Sequence, residues 1–346
     1  MRLSVLDLVP VRTDQSTGDA LAATRRLAQV ADATGFHRYW LAEHHNVPAV
    51  AATNPPVLIA LVAAATARIR VGSGGVMLPN HAPLVVAEQF ALLEAAYPGR
   101  IDLGIGRAPG TDPVTAYALR HGAGGVDDEA VARFPEYVDN VLTMMSPGGA
   151  ALQVGGRKLP LNATPAARSR PPVWLLGSSD YSARLAAARG LPYVFAHHFS
   201  GTGTAEALAL YRSTFRPSEE LAAPQTFLTV NAVVADTQEE ADRLALPQLL
   251  AMVALRTGAP LGPQRLVEEA EAEQVPEAHA ALISAMRHRW VIGTPTTAPA
   301  RVRALAEEFD VDEVMVHPVA GAFVGTAADA SPTREQTLAL LGRGLL

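Results

Sequence analysis

The chain has 346 residues, a formal net charge of −6, no basic run and no cysteine. Nucleic acid and anionic membrane surfaces both demand a Lys/Arg footprint that is missing here, and the lack of thiols removes disulfides, thiolate nucleophiles and zinc–thiolate centres. A small-molecule ligand is the expectation, and any metal would need His and carboxylate ligands. From the N-terminus, "LSVLDLVP" reads as a short buried strand and "DALAATRRLAQVADATG" as a helix, with Asp19 near its start and Gly35 just past its end. "HRYWLAEHH" follows as a strand, then the helix "PPVLIALVAAATAR", the strand "IRVGSGGVML", the helix "PLVVAEQFALLEAAYPG" and the strand "RIDLGIG". Farther on, "PPVWLLGSS", "PYVFAHHF" and "TFLTVNAVVA" each precede a helical stretch, and "TAPARVRALAEEF" leads into the strand "DEVMVHPV".

Eight strands are thus counted between residues 3 and 317, apolar on both faces and separated by amphipathic helices. Parallel strands are buried on both faces and need helical crossovers, so the alternation predicts an α/β fold with a closed (β/α)8 TIM barrel; an open doubly wound sheet is the competitor. One domain spanning 1–346 suffices, since barrels run to this size. Two excursions interrupt the alternation. Near 149–165, "ALQVGGRKLPLN" reads as a hairpin turning at Gly155 and Gly156, and 256–290 is rich in Gly, Pro and charge. The longest apolar run, between Pro56 and Arg68, is eleven residues, and the N-terminus lacks a signal-peptide pattern; a cytoplasmic protein without membrane contact is expected.

Active sites of this architecture gather at the C-terminal strand ends. His44 and His45 end strand 2, Gly74 and Gly75 sit in strand 3, Arg107 follows strand 4, Ser178 and Ser179 end strand 5, His197 and His198 end strand 6, and His317 ends strand 8. Each alone reads as readily as a structural residue, but together they converge on one mouth. By the period of two, Trp40, Ala42 and His44 share one face, and Glu43 and His45 the other. "GIGRAPG" imitates a dinucleotide fingerprint, yet Pro109, Gly110, Asp112 and Pro113 oppose the immediate helix that fingerprint needs. No metal is expected: strand 1 offers Ser4 and Asp7 but no histidine pair. No P-loop and no G-x-S-x-G elbow is present. The three glycines of "VGSGGVML" either leave a flat ring room against the backbone or form a bulge for barrel curvature.

"GFHRYWLAEHHN", "IRVGSGGVMLPNHAPLVVAEQFALLEAAYPGRIDLGIGRAPG" and "PPVWLLGSSDYSARLAAARGLPYVFAHHF" resemble the luciferase-like flavin-dependent monooxygenases, in particular the single-chain branch related to bacterial luciferase α subunits. The resemblance runs from residue 1 to about residue 320. It implies reduced FMN at the mouth and dioxygen captured as a flavin 4a-hydroperoxide that oxidises a small organic substrate. His44 matches the catalytic histidine, Gly74 and Gly75 the site of a non-prolyl cis peptide under the isoalloxazine, and Arg107 the residue that clamps the flavin phosphate. Ser178 and Ser179 would complete that anion site at a helix start. Asp180 fits beside it only if it points away, and His45 and His197 are placed around the cofactor, with Glu43 in support. Gly106 stands where luciferase α subunits carry a cysteine, so light emission is not implied. Without an NAD(P)H fingerprint, reduced FMN is expected from a separate flavin reductase. A homodimer is expected through the apolar helix "PPVLIALVAAATAR". Two alternatives stay open: deazaflavin-dependent hydride transfer, whose enzymes more often show an acidic residue in place of the first His of "EHH", and a non-catalytic flavin-binding protein.

Overall fold

The computed structural model of the protein describes residues 1–108, 110–120, 129–165 and 167–346, so Pro109 lies outside the described residues. In chain order the strands are β1 (Arg2–Asp7), β2 (Arg38–Leu41), β3 (Arg70–Ser73), β4 (Val76–Met77), β5 (Ile101–Gly106), β6 (Ala150–Val154), β7 (Arg157–Leu161), β8 (Val173–Gly177), β9 (Tyr193–Phe195), β10 (Thr226–Val234), β11 (Val291–Gly293) and β12 (Glu313–Pro318). Eight of them pair in parallel around a ring, β12-β1-β2-β3-β5-β8-β9-β10, and β10 returns to β12 to close it. The fold is therefore the (β/α)8 barrel, not the open sheet. These eight are the strands read from the sequence, and β6 and β7 form the expected antiparallel hairpin across Gly155 and Gly156.

Three features differ from the sequence reading. The third strand breaks into β3 and β4 around Gly74–Gly75, whose peptide is cis. Strand β11, missed as three short apolar residues after a charged helix, extends the sheet beside β10, with Val291–Gly293 opposite Ala232–Val234. Asp19 is the third helical residue of Thr17–Thr34 and completes a capping box with Ser16. The 256–290 stretch carries the helices Val267–Glu271 and Glu277–Arg289, the second packed on Gln238–Thr257.

The period of two sorts each barrel strand into an outer and an inner face. Outward residues such as Val5, Tyr39, Leu175, Tyr193, Phe195, Leu228 and Val316 pack under the helices. Inward, Leu6, Trp40, Trp174, Val194, Phe227 and Met315 fill the lumen. The rings of Trp40, Trp174 and Phe227 meet at centroid distances of 5.1–5.6 Å, so this layer is solid packing. Below it lies a charged floor. Arg38, only 3% exposed, donates to Glu313 and to Asp102, both at 2.8 Å. Asp102 also accepts from Arg70 (2.6 Å) and Trp40 Nε1 (3.0 Å), and Ser4 donates to Glu313 at 2.6 Å. The lumen is thus open to chemistry only at its C-terminal end.

Candidate active site

The inner faces carry their parity upward past the aromatic layer. On β2 the series 38, 40, 42 reaches His44; on β9, 194 and 196 reach His198; on β10, 227 reaches Thr229 and Asn231; on β12, 313 and 315 reach His317. Hydrogen-bonded pairing of β2 ends at Leu41, so His44 and His45 lie just beyond the strand rather than in it. The His44 backbone amide is held by Ala52 O at 2.7 Å, while its Nδ1 is sealed from solvent with no partner among the described residues. Burial pushes the His44 pKa down; the Glu43 carboxylate opposes this, and His45 adds to it.

Glu43, 1% exposed, turns to the outer side and ties three segments together. One oxygen accepts the Met77 amide at 2.9 Å; the other lies 2.8 Å from His45 Nε2 and 2.7 Å from His81 Nε2. Burial raises its pKa, but the two imidazoles and the amide prevail and hold it at about 2. An ionised carboxylate only accepts, so both imidazoles donate to it. His45 thereby acts on the β4 segment through Glu43. Glu43, His45 and His81 place ligand-type atoms within 4.8 Å of one another, joined by those hydrogen bonds. His81 carried no sequence signal beyond its place in "PNHAP"; it is found only because β4 brings it to Glu43.

The glycines of the third and fourth barrel strands are explained by their neighbours. A Cβ on Gly75 would meet Gly104 O at 2.8 Å and Leu176 Cδ1 at 2.9 Å, and one on Gly104 would overlap Ser73 O. Close approach of the strands demands them whether or not a ring lies above. The peptide they flank is cis, as the resemblance implies.

Across the mouth, β8 ends at Gly177 and the helix Asp180–Arg189 begins. Ser178 and Ser179 are exposed, and neither hydroxyl has a partner among the described residues; Ser179 occupies the cap position without capping. Asp180 is engaged by Arg184 at 3.1 Å, one turn along the helix. The Arg107 guanidinium stacks 4.2 Å over the ring of Tyr181 and pairs with no carboxylate among the described residues. Tyr181, one position past the helix start, was not anticipated. A cation, two free hydroxyls and a helix N-terminus with unpartnered amides make a site for an anion. The residues present fit a phosphate-bearing cofactor.

His197 and His198 part company. His197 lies in the helical layer, its Nδ1 2.8 Å from Thr204 Oγ and its ring against Phe309. Burial, Arg289 and Arg301 lower its pKa to about 4. It does not face the mouth, and parity on β9 carries the signal: Val194 points inward, so 198 does and 197 does not. His198 bonds Thr229 and His317 bonds Asn231, with the two rings 6.0 Å apart. Helix Pro113–Leu119, capped by Asp112, starts well beyond Arg107, and no helix follows β5 at once. A depression of about 370 Å³ bordered by Arg2, Asp32, His37, Arg68 and Leu346 lies at the opposite, N-terminal end and contains none of these groups.

The family model for luciferase-like monooxygenases matches residues 1–313. A luciferase-like monooxygenase of Escherichia coli K12 is 39% identical over 315 residues, 91% of this chain and 90% of its own. The apo-MsnO8 crystal structure superposes with a TM-score of 0.83 at 30% identity, covering 99% of this chain and 98% of that one. At lower identity, two structures share the fold alone. One is the oxygenating constituent of 3,6-diketocamphane monooxygenase from Pseudomonas putida in complex with FMN (TM-score 0.73, 20%), which covers all of this chain and 99% of its own. The other is an F420-dependent secondary alcohol dehydrogenase (0.62, 12%), covering 98% of each. Matched along nine-tenths of its length by a relative of this closeness, the chain belongs to the luciferase-like monooxygenase family.

Proposed function

We propose that the protein is an FMN-dependent monooxygenase that oxidises a small organic substrate with dioxygen, its reduced FMN delivered by a separate reductase. Reduced FMN, when bound, supplies the electrons that activate dioxygen; the chain supplies position, dryness and a proton. The observation that carries the reading is the unpaired anion cradle of Arg107, Ser178 and Ser179, set at the same mouth as the buried His44. Arg107 and the seryl hydroxyls would hold the phosphate, and the Gly74–Gly75 peptide would offer the ring a flat stretch of backbone. His44, kept neutral by burial, offers an imidazole that can donate a hydrogen bond and pass a proton at its Nε2. Glu43 and His45 act one step away by holding the β4 segment. The flavin complex of the camphane oxygenase is a fold-level analogy for FMN, and the F420 enzyme is one for the deazaflavin alternative.

The test is His44→Ala. Reduced FMN binding should be retained, while substrate oxygenation falls about 10²- to 10⁴-fold and hydrogen peroxide release rises in its place. Unchanged coupling would remove His44 from the chemistry. In the same assay NADH should be consumed only when a flavin reductase is added. We further propose a two-fold homodimer over the helices Pro55–Ala65 and Pro83–Ala96, which expose Val57, Leu61, Val85 and Leu92. Light scattering at micromolar concentration that returns a monomer would refute it. No helix among the described residues is long and apolar enough to cross a membrane.

A further inference from the structure

Two of the mouth histidines have their Nδ1 engaged from β10, His317 by an amide oxygen and His198 by a hydroxyl. A Thr229 hydroxyl turned to Phe195 O, 3.1 Å away, has no second proton to give. In that rotamer it accepts from His198 Nδ1 at 2.9 Å, and Nδ1 carries the proton. Asn231 is oriented by its Nδ2, which donates to His198 O at 2.8 Å. That leaves its carbonyl oxygen toward His317 Nδ1 at 2.9 Å, and a carbonyl only accepts; His317 too is protonated on Nδ1. Burial keeps both rings neutral: it pushes His317 down, with His198 and Arg334 adding to the effect, and His198 down to about 3, with His197 and His44 adding.

A neutral ring with its proton on Nδ1 presents a lone pair at Nε2. Neither Nε2 has a partner among the described residues, and neither is sealed from accessible space as His44 Nδ1 is. Since both Nδ1 edges are tied to β10, the Nε2 edges look into the lumen, from rings 6.0 Å apart and nearly perpendicular. With both rings in this form, the mouth presents two hydrogen-bond acceptors without a donor among the described residues.

We propose that His198 and His317 form a substrate subsite that takes a hydrogen-bond donor, a phenolic, enolic or alcoholic hydroxyl, and so orient the molecule to be oxidised. An alkane, ether or ketone would leave both lone pairs unpaired in a dry site. The role is positioning rather than deprotonation, because a ring held so far below its ordinary pKa is a poor base. The inference rests on the monooxygenase reading for its chemistry, but the acceptor pair itself does not need the cofactor.

The experiment is NMR of protein labelled with ¹⁵N-histidine at neutral pH, the two residues identified by loss of signal in His198→Gln and His317→Gln. In free protein both should be protonated on Nδ1 and bare on Nε2. Phenol, with one proton to donate, should then shift at least one of the two Nε2 resonances saturably and bind at least about tenfold more tightly than anisole, its donor-free ether. Thr229→Val removes the acceptor that holds the His198 proton, and should release that ring to the Nε2-protonated form and erase the preference. An Nε2-protonated ring in the parent, equal binding of anisole, or no response to phenol would each overturn the proposal. Titration of FMN into the same sample separates it from the reading it rests on. If FMN alone shifts both Nε2 signals, the pair serves the cofactor and the subsite falls while the FMN reading stands. If FMN does not bind but the phenol preference persists, the FMN reading falls and the subsite stands.

Discussion

The two ends of the barrel lumen use similar residue types to opposite ends. At the floor, Arg38, Asp102 and Glu313 are buried and joined through Arg38, and half-buried Arg70 also meets Asp102, so each carboxylate has at least one guanidinium. At the mouth, among the described residues, Arg107 has an aromatic ring but no carboxylate, the Ser178 and Ser179 hydroxyls have no partner, and three imidazoles show nitrogens without one. Between them lies the aromatic layer of Trp40, Trp174 and Phe227. Buried polar groups are ordinarily satisfied, so the unpaired set marks where a ligand completes the structure, and the paired set marks where none is needed.

The sharpest way to break that contrast is Arg38→Met. Removing the cation leaves Asp102 and Glu313 short of a partner in the barrel floor and should cost about 3–5 kcal/mol in urea unfolding, with FMN affinity per folded molecule unchanged. A parallel loss of FMN affinity would show that floor and mouth are not separable. Arg107→Ala is the counterpart. It should leave the unfolding midpoint where it is while weakening FMN binding by about 2–4 kcal/mol and riboflavin binding hardly at all. Equal loss for both ligands in fluorescence titration would move Arg107 away from the phosphate.

Acid provides a smaller, graded test. His44, His197, His198 and His317 all have folded pKa values below the unfolded value of 6.5, so below that pH the unfolded chain binds more protons than the folded one. Stability is fully present above about pH 6.5 and falls as pH drops toward the folded values, with a slope of about 1.4 kcal/mol per pH unit for each histidine involved. Glu43, depressed to about 2, adds its own loss only below its ordinary value of 4.5. Urea unfolding at stepped pH should therefore show a decline beginning near pH 6.5, and His198→Gln should remove about one proton from the slope. A flat profile from pH 7 to 5 would mean that the mouth histidines are not held neutral.

Much of this was legible beforehand. The alternation of apolar strands with amphipathic helices is local, and all eight barrel strands carry it; β11 does not, because its three residues are too few to show a period. His44 could be placed on the inner face of its strand by counting from Trp40. The same counting from Val194 distinguishes His198 from His197, although "AHHF" taken as a pair conceals it. The hairpin at Gly155 and Gly156 announced itself through turn chemistry. His81 and Tyr181 did not, since a loop histidine and a helical tyrosine look the same whether or not a partner waits across the fold.

What the sequence by itself determined was periodicity and parity: which segments are strands, that they are parallel, and which side chains turn inward. Those follow from short-range sterics and from burial of apolar surface, and neighbours in the chain express both. Only closure of the barrel decided which polar groups are satisfied. Arg38 finds Asp102 at a sequence separation of 64 and Glu313 at 275, pairings no local pattern encodes. The Nδ1 atoms of His198 and His317 are likewise engaged by Thr229 and Asn231, which reach them from another strand. A hydrogen bond has a direction only once both partners are in place, so the acceptor character of the mouth belongs to the tertiary structure and not to the histidines themselves.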